Sequence, residues 1–339
     1  MASTASERSP HRSRRILWGS IRFAIGLGIL AYLWKSGIIH VDTLKRLFTA
    51  WPITLAALAL MAVDVLMMSL RLSWLLRPHG LHLAVGKSLQ LTCVSFFFTA
   101  FLPGSSGGAL AKLFYAAKEN AERRTEIATV VVFDRAIGLF SLLILALAFV
   151  PFFARVVVTV AALRMLVFIV AVLAAGLLAS LFVCLVDRSR ANHSLRGAFG
   201  FLPWSNLAGR AVAAIGFYRR SPGTLFMALG ASLLANFAVV VVAGLAVLAL
   251  HPADFSLKMC LVIPLGYIAN SLPLTPGGLG VGETAFDSLF KLTGLGGGAD
   301  ALLCWRIWSL PIVILGFVSY LRGLGRSVHR LENDVAQEV

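Results

Sequence analysis

Residues 224–250 read TLFMALGASLLANFAVVVVAGLAVLAL, a run without one charged side chain. A helix needs about 20 predominantly apolar residues to cross about 30 Å of hydrocarbon, so this stretch alone predicts a membrane span. Working outward, runs of comparable length lie at 16–34, 51–76, 127–150, 157–186 and 300–321, giving about six transmembrane helices. The whole chain agrees. Of 339 residues 59% are hydrophobic and 13% charged, with a mean hydropathy of +0.87, whereas ordinary globular domains are about 45–50% apolar and about 25% charged. A water-soluble fold of this composition would expose apolar patches far beyond those that soluble monomers carry. The fold class expected is therefore an all-α polytopic membrane protein.

Two further apolar stretches, 88–102 and 256–274, are shorter and end in Pro and Gly clusters. That pattern suits a re-entrant segment better than a crossing. The first span follows Arg8, Arg12, Arg14 and Arg15, as in a signal peptide, but it ends in Trp34-Lys35-Ser36 with no small-residue cleavage site, so it reads as an uncleaved anchor.

The chain carries 30 Lys+Arg against 15 Asp+Glu, a net charge of +15. With six spans and two dips, nineteen of the basic residues fall on one side and six on the other, and five (Arg22, Arg71, Arg135, Arg164 and Arg306) lie in spans. The positive-inside rule then puts both termini in the cytoplasm of a cell membrane protein. The net charge is explained by topology and by attraction to anionic headgroups along 193–220, with Trp204 and Phe217 at the interface. Nucleic acid is not needed as a partner. Cys93, Cys184, Cys260 and Cys304 sit in apolar runs with no CxxC pair and read as packing residues. Gly86-Lys87-Ser88 lacks the rest of a Walker A loop, and His79 and His82 have no acidic or Cys companion. No metal or cofactor is expected.

Shifting the sequence by 173 residues superposes two halves, about 51–150 and 224–323. Leu102-Pro103-Gly104-Ser105-Ser106-Gly107 then falls on Thr275-Pro276-Gly277-Gly278-Leu279-Gly280, both P-G-x-x-G between a short apolar segment and a helix. With six spans the first unit enters from outside and the second from inside, so the repeat is expected to be inverted, an arrangement that builds a mid-membrane site from broken helices. The domain division follows: a basic cytoplasmic arm over 1–15, a transmembrane domain over 16–325 and a tail over 326–339.

The hinge glycines Gly104, Gly107, Gly108, Gly277, Gly278 and Gly280 can leave free N–H groups at a helix start, which favour anions. A purely structural hairpin is the alternative. Asp64, Asp134, Arg135 and Arg306 lie inside spans, where a charge costs roughly 2.5–3.5 kcal/mol on insertion scales and is expected to face a partner or a wet cavity. Arg135 and Arg306 are placed near the hinge of their own repeat, suiting a phosphate-bearing ligand. Alternatively Asp134 pairs with Arg306 or a neighbour only to neutralise charge. Arg22, Arg71 and Arg164 are expected to snorkel. Asp64 has no obvious partner in the sequence and can carry a proton or hydrogen-bond while protonated. Glu283 either caps its helix or meets an amine headgroup, and Lys112 is either a phosphate contact or an interfacial anchor.

Leu102-Pro103-Gly104-Ser105-Ser106-Gly107-Gly108, Asp134-Arg135 with Gly138, Leu274 through Glu283, and Arg306 resemble the lysylphosphatidylglycerol synthase transmembrane-region family, the flippase-like domain of multiple peptide resistance factors. The resemblance covers roughly 16–325. Family members commonly continue the first loop as Gly-Gly-Asp with an arginine three residues on, where this chain has Ala109 and Lys112; a headgroup contact made by that carboxylate is not carried over. The resemblance implies the translocating half, without the soluble aminoacyl-transferase domain.

The expected function is movement of a phosphate-bearing phospholipid or isoprenoid-linked lipid between leaflets, with no catalysis. Two alternatives stand beside it: a scaffold or accessory subunit for a lipid or glycan synthase, and a lipid-modifying enzyme using Glu283 or Asp134.

Overall fold

The computed structural model describes residues 41–101, 106–119, 123–186, 218, 221–271 and 278–337. The basic arm, the expected anchor at 16–34 with Arg22, most of the interfacial segment 193–220, and the hinge tips with Gly104 and Gly277 lie outside them. The chain divides into two units at Thr49. The first contains α1, Val41–Thr49, closed by the Thr49 hydroxyl donating to the Lys45 carbonyl at 3.0 Å.

The second unit contains helices and no strand among the described residues. Its helices are α2 Trp51–Leu76, α3 Val85–Phe101, α4 Ser106–Glu119, α5 Arg124–Ala148, α6 Ala154–Thr159, α7 Ala161–Val186, α8 Pro222–Leu250, α9 Met259–Asn270, α10 Val281–Leu292 and α11 Gly298–Gln337. Five helical stretches among the described residues are long and apolar enough to cross a membrane: Trp51–His79, Glu126–Thr159, Ala161–Ala179, Pro222–Leu250 and Gly298–Arg322. Their outer faces carry bare Phe, Leu, Ile and Val, such as Phe168, Ile169, Phe226 and Ile314. Such surface requires lipid rather than water around it. The protein is a multi-pass membrane protein.

Proline marks where several helices begin. Pro52 and Pro222 occupy the first turns of α2 and α8, where a missing N–H costs nothing. Pro264 and Pro311 lie inside α9 and α11, as membrane helices tolerate when neighbours take up the freed carbonyl.

The order long, short, short, long occurs twice: α2–α3–α4–α5, then α8–α9–α10–α11. The short helices have 17, 14, 12 and 12 residues. At about 1.5 Å per residue none of these spans about 30 Å of hydrocarbon, so each pair is a broken helical hairpin. The packing follows the same rule in both four-helix sets. Helix α3 leans on α11, the last helix of the other set, and α9 leans on α5. The most extensive contact joins α2 to α8. There α8 presents Ala228, Ala231, Ser232, Ala235, Ala238, Val242 and Ala246, a stripe of mostly small residues that lets backbones approach closely where hydrophobicity cannot drive association. Gly316 does the same for α11: a side chain there would run into the Cys93 carbonyl of α3. Polar contacts add to this. Asn236 Nδ2 donates to the Gly138 carbonyl at 3.1 Å and to Ser141 Oγ at 2.6 Å, tying α8 to α5.

The C-terminal part of α2 lies beside the N-terminal part of α8. Tyr218, just before α8, donates to the Leu75 carbonyl at 2.6 Å and stacks on Phe133 of α5. Cys93 and Cys304 are buried and Cys260 is partly so; all three are free thiols.

Candidate functional site

Both hairpins close over a glycine near the start of their second helix. A Cβ on Gly108 would strike the Ser95 and Thr99 side chains and the Ser95 carbonyl of α3; one on Gly282 would strike the Asn270 side chain of α9. In the second hinge Gly278 and Gly280 have φ of +70° and +79°, a region L side chains rarely enter. Gly107 opens α4 one residue before Gly108.

From the first hairpin, α4 carries Lys112 into the bundle. Its Nζ lies 3.5 Å from Asp134 Oδ2, and Arg71 Nε donates to Asp134 Oδ1 at 2.6 Å. Arg71, Lys112 and Asp134 are each 4% exposed. Arg71 Nη1 also donates to Ser232 Oγ at 2.8 Å, joining α2, α5 and α8. Gly138 makes room for this guanidinium: a Cβ there would stand 3.0 Å from Arg71 Nη1. Two cations thus share one carboxylate, and Asp64 is buried on α2 as well, about two turns before Arg71.

This corrects one expectation. Arg71 does not snorkel; it is 4% exposed and its guanidinium turns inward to a buried carboxylate. Arg164, by contrast, is exposed and reaches only the Val158 carbonyl at 3.5 Å. Asp134 pairs with Arg71 and Lys112, the neighbours rather than the Arg306 that the neutralising alternative allowed. Arg135 follows Asp134 and is half-buried, so the cations held on Asp134 come from Arg71 and Lys112.

At the second hairpin, Glu283 takes the capping role and adds a pairing that the sequence did not show. Its Oε2 accepts from the Gly280 N–H at 2.7 Å, capping α10, while its Oε1 accepts from Arg306 Nε at 2.8 Å. Arg306 Nη2 reaches Asn270 Oδ1 at 3.5 Å. Thr284 Oγ1 donates to the Gly280 carbonyl. The side chains of Arg306 and Glu283 are 14% and 16% exposed, so this cluster is less sealed than the first. Tyr267, on α9, sets its ring edge-on against Trp305, the sequence neighbour of Arg306, at 5.8 Å.

Sequence reading missed Arg71, Ser232, Tyr267 and Asn270. The available signal was Asp134 itself, a carboxylate in an apolar span that demanded a cation of similar depth. Asn270, the polar residue ending α9, was the other.

A bundle of apolar helices holding two broken hairpins and buried ion pairs defines an integral membrane domain. Residues 19–316 match the family described as the lysylphosphatidylglycerol synthase TM region, and the chain belongs to that family. No curated protein and no solved structure matches it.

Proposed function

We propose that this chain is a lipid translocase, moving a phosphate-bearing phospholipid or isoprenoid-linked lipid between leaflets of the cell membrane. The observation that carries this is the pair of ion-paired clusters: each broken hairpin contributes one member of a cation–carboxylate pair, Lys112 of α4 to Asp134 and Glu283 of α10 to Arg306. Charges in a membrane interior are costly and mark substrate paths, and broken-helix termini suit anionic groups. The headgroup would pass Gly104, Gly107, Gly108, Lys112 and Arg135 in one half, and Gly277, Gly278, Gly280, Glu283 and Arg306 in the other.

The exchange of partners between units, α3 on α11 and α9 on α5, supports a pseudo-two-fold repeat. The juxtaposition of the end of α2 with the start of α8 supports its inversion, with both termini cytoplasmic. Glu283 has both oxygens engaged and Asp134 holds two cations, which argues against either acting as a catalytic base. Anionic headgroups on the cytoplasmic face, and a lipid or glycan synthase, are the partners this role implies.

The test is reconstitution of the purified chain in vesicles containing tail-labelled phospholipids, with a membrane-impermeant quencher reporting the inner-leaflet fraction. Faster loss of protected label than in protein-free vesicles is expected. An equal rate for every phospholipid and polyprenyl phosphate offered would overturn the reading.

A further inference from the structure

Two carboxylates are buried in the described part of the bundle, Asp64 and Asp134, each 4% exposed. Asp134 holds Arg71 and Lys112. Asp64, among the described residues, forms neither a hydrogen bond nor an ion pair. Helix α2 has 26 residues and Asp64 is at its middle. At about 1.5 Å per residue the helix outreaches about 30 Å of hydrocarbon at both ends, which puts this carboxylate close to the bilayer midplane. A lone carboxylate in such surroundings takes up a proton rather than stay charged, and an ionisable group at that depth marks a working part of the protein.

Other ionisable groups surround α2 in the bundle interior. Arg71 is about two turns along α2 itself; Lys112 is on α4, Asp134 and the half-buried Arg135 on α5, Tyr267 on α9, and Arg306 with the Cys304 thiol on α11. Helix α8 carries none, and α3 only Lys87 and the Cys93 thiol. Arg71 is held by Asp134 and Ser232, and Arg306 by Glu283. Lys112 is the loosest member. Its Nζ stands 3.5 Å from Asp134, beyond the about 2.7–2.9 Å usual for a charge-assisted bond. Arg71, Lys112 and Asp134 together carry one net positive charge. An ionised Asp64 cancels it, and a protonated Asp64 leaves it in place.

We propose that Asp64 is a proton-binding site that couples lipid movement to a proton gradient. Protonated, it leaves the positive charge of Arg71 and Lys112 in excess, which holds an anionic group in the bundle. Ionised, it competes with Asp134 for Lys112 and cancels that charge, which releases the anion. Proton and anion therefore travel in the same direction. The step moves only a proton: the Asp64 O–H forms with a proton from water on one face and yields it to water on the other. The proposal rests on the translocase reading and names what drives it.

The experiment places the full chain in phosphatidylcholine vesicles with a trace of tail-labelled phosphatidylglycerol, a singly charged anion, under an imposed pH gradient. An impermeant quencher reports the outer-leaflet fraction, and Asp64→Asn, the isosteric neutral variant, is run beside the wild type. With one proton carried per lipid, a gradient of about one pH unit, acid inside, should enrich label in the outer leaflet about tenfold. Reversing the gradient should reverse the enrichment. Asp64→Asn, shown to be folded by its melting temperature, should give equal leaflets under either gradient. Wild-type movement that ignores the gradient overturns the proposal and leaves the translocase standing; enrichment that persists in Asp64→Asn also overturns it. The proton is read without transport as well: infrared spectra of the chain in detergent should show the carbonyl band of a protonated carboxyl that Asp64→Asn lacks. If no lipid moves, the translocase fails while this band upholds the proton site. Absence of the band from the wild type at every pH overturns that site.

Discussion

Arg71 and Asp134, sixty-three residues apart, meet at 2.6 Å in the interior of the bundle and lock α2 to α5. Removing one partner of a buried pair leaves an uncompensated charge and costs about 3–5 kcal/mol, whereas replacing both with apolar residues of similar volume is often neutral. Asp134→Ala should therefore lower the apparent melting temperature in detergent sharply, since it strands both Arg71 and Lys112. The triple variant Arg71→Met, Lys112→Met, Asp134→Leu, which removes all three charges, should recover much of the loss. A triple variant no more stable than Asp134→Ala would contradict the pairing.

Much of this was legible in the residues and some was not, for physical reasons. The spans were readable because a lipid-facing helix must be apolar over its full length, as in 224–250. The hinges were readable because Pro-Gly clusters interrupt two segments too short to cross. Charge partners were not, because a guanidinium one turn from a helix end can snorkel outward or turn inward with the same local sequence. Only the position of α5 decides this for Arg71. Likewise Glu283 announced a cap by its place three residues after Gly280, while its second bond, to Arg306, depends on how α11 packs.

Packing between the two units turns on one missing side chain. Gly316→Ala places a Cβ against the Cys93 carbonyl, a backbone atom that cannot move without shifting α3. A cost of about 1–3 kcal/mol is expected, as for other overpacked sites, read as a lower melting temperature. Gly230→Ala, with nothing near its Cβ, should be neutral or slightly stabilising, because alanine is the better helix former by about 1 kcal/mol. Equal effects at both positions would refute a close α3–α11 contact.

An inverted repeat makes a topological prediction. The turn before α3 and the turn before α9 should open on opposite faces of the membrane. Single cysteines at His82 and Phe255, both exposed, in a chain whose native cysteines are replaced by serine or alanine, should react with an impermeant maleimide from opposite sides of sealed vesicles. Labelling of both from one side would mean that the repeats are parallel.

The two hinge cations offer the most direct measurement of all. Lipid movement should be measured in vesicles for Lys112→Gln and Arg306→Gln, with Arg164→Gln as the control at an exposed arginine and melting temperatures confirming that each variant is folded. A hydrogen bond to a charged group is worth about 1.5–3 kcal/mol, so each hinge variant should slow movement by about 10- to 100-fold while Arg164→Gln matches the wild type. Wild-type rates in both folded hinge variants would contradict the passage of a headgroup past these hinges.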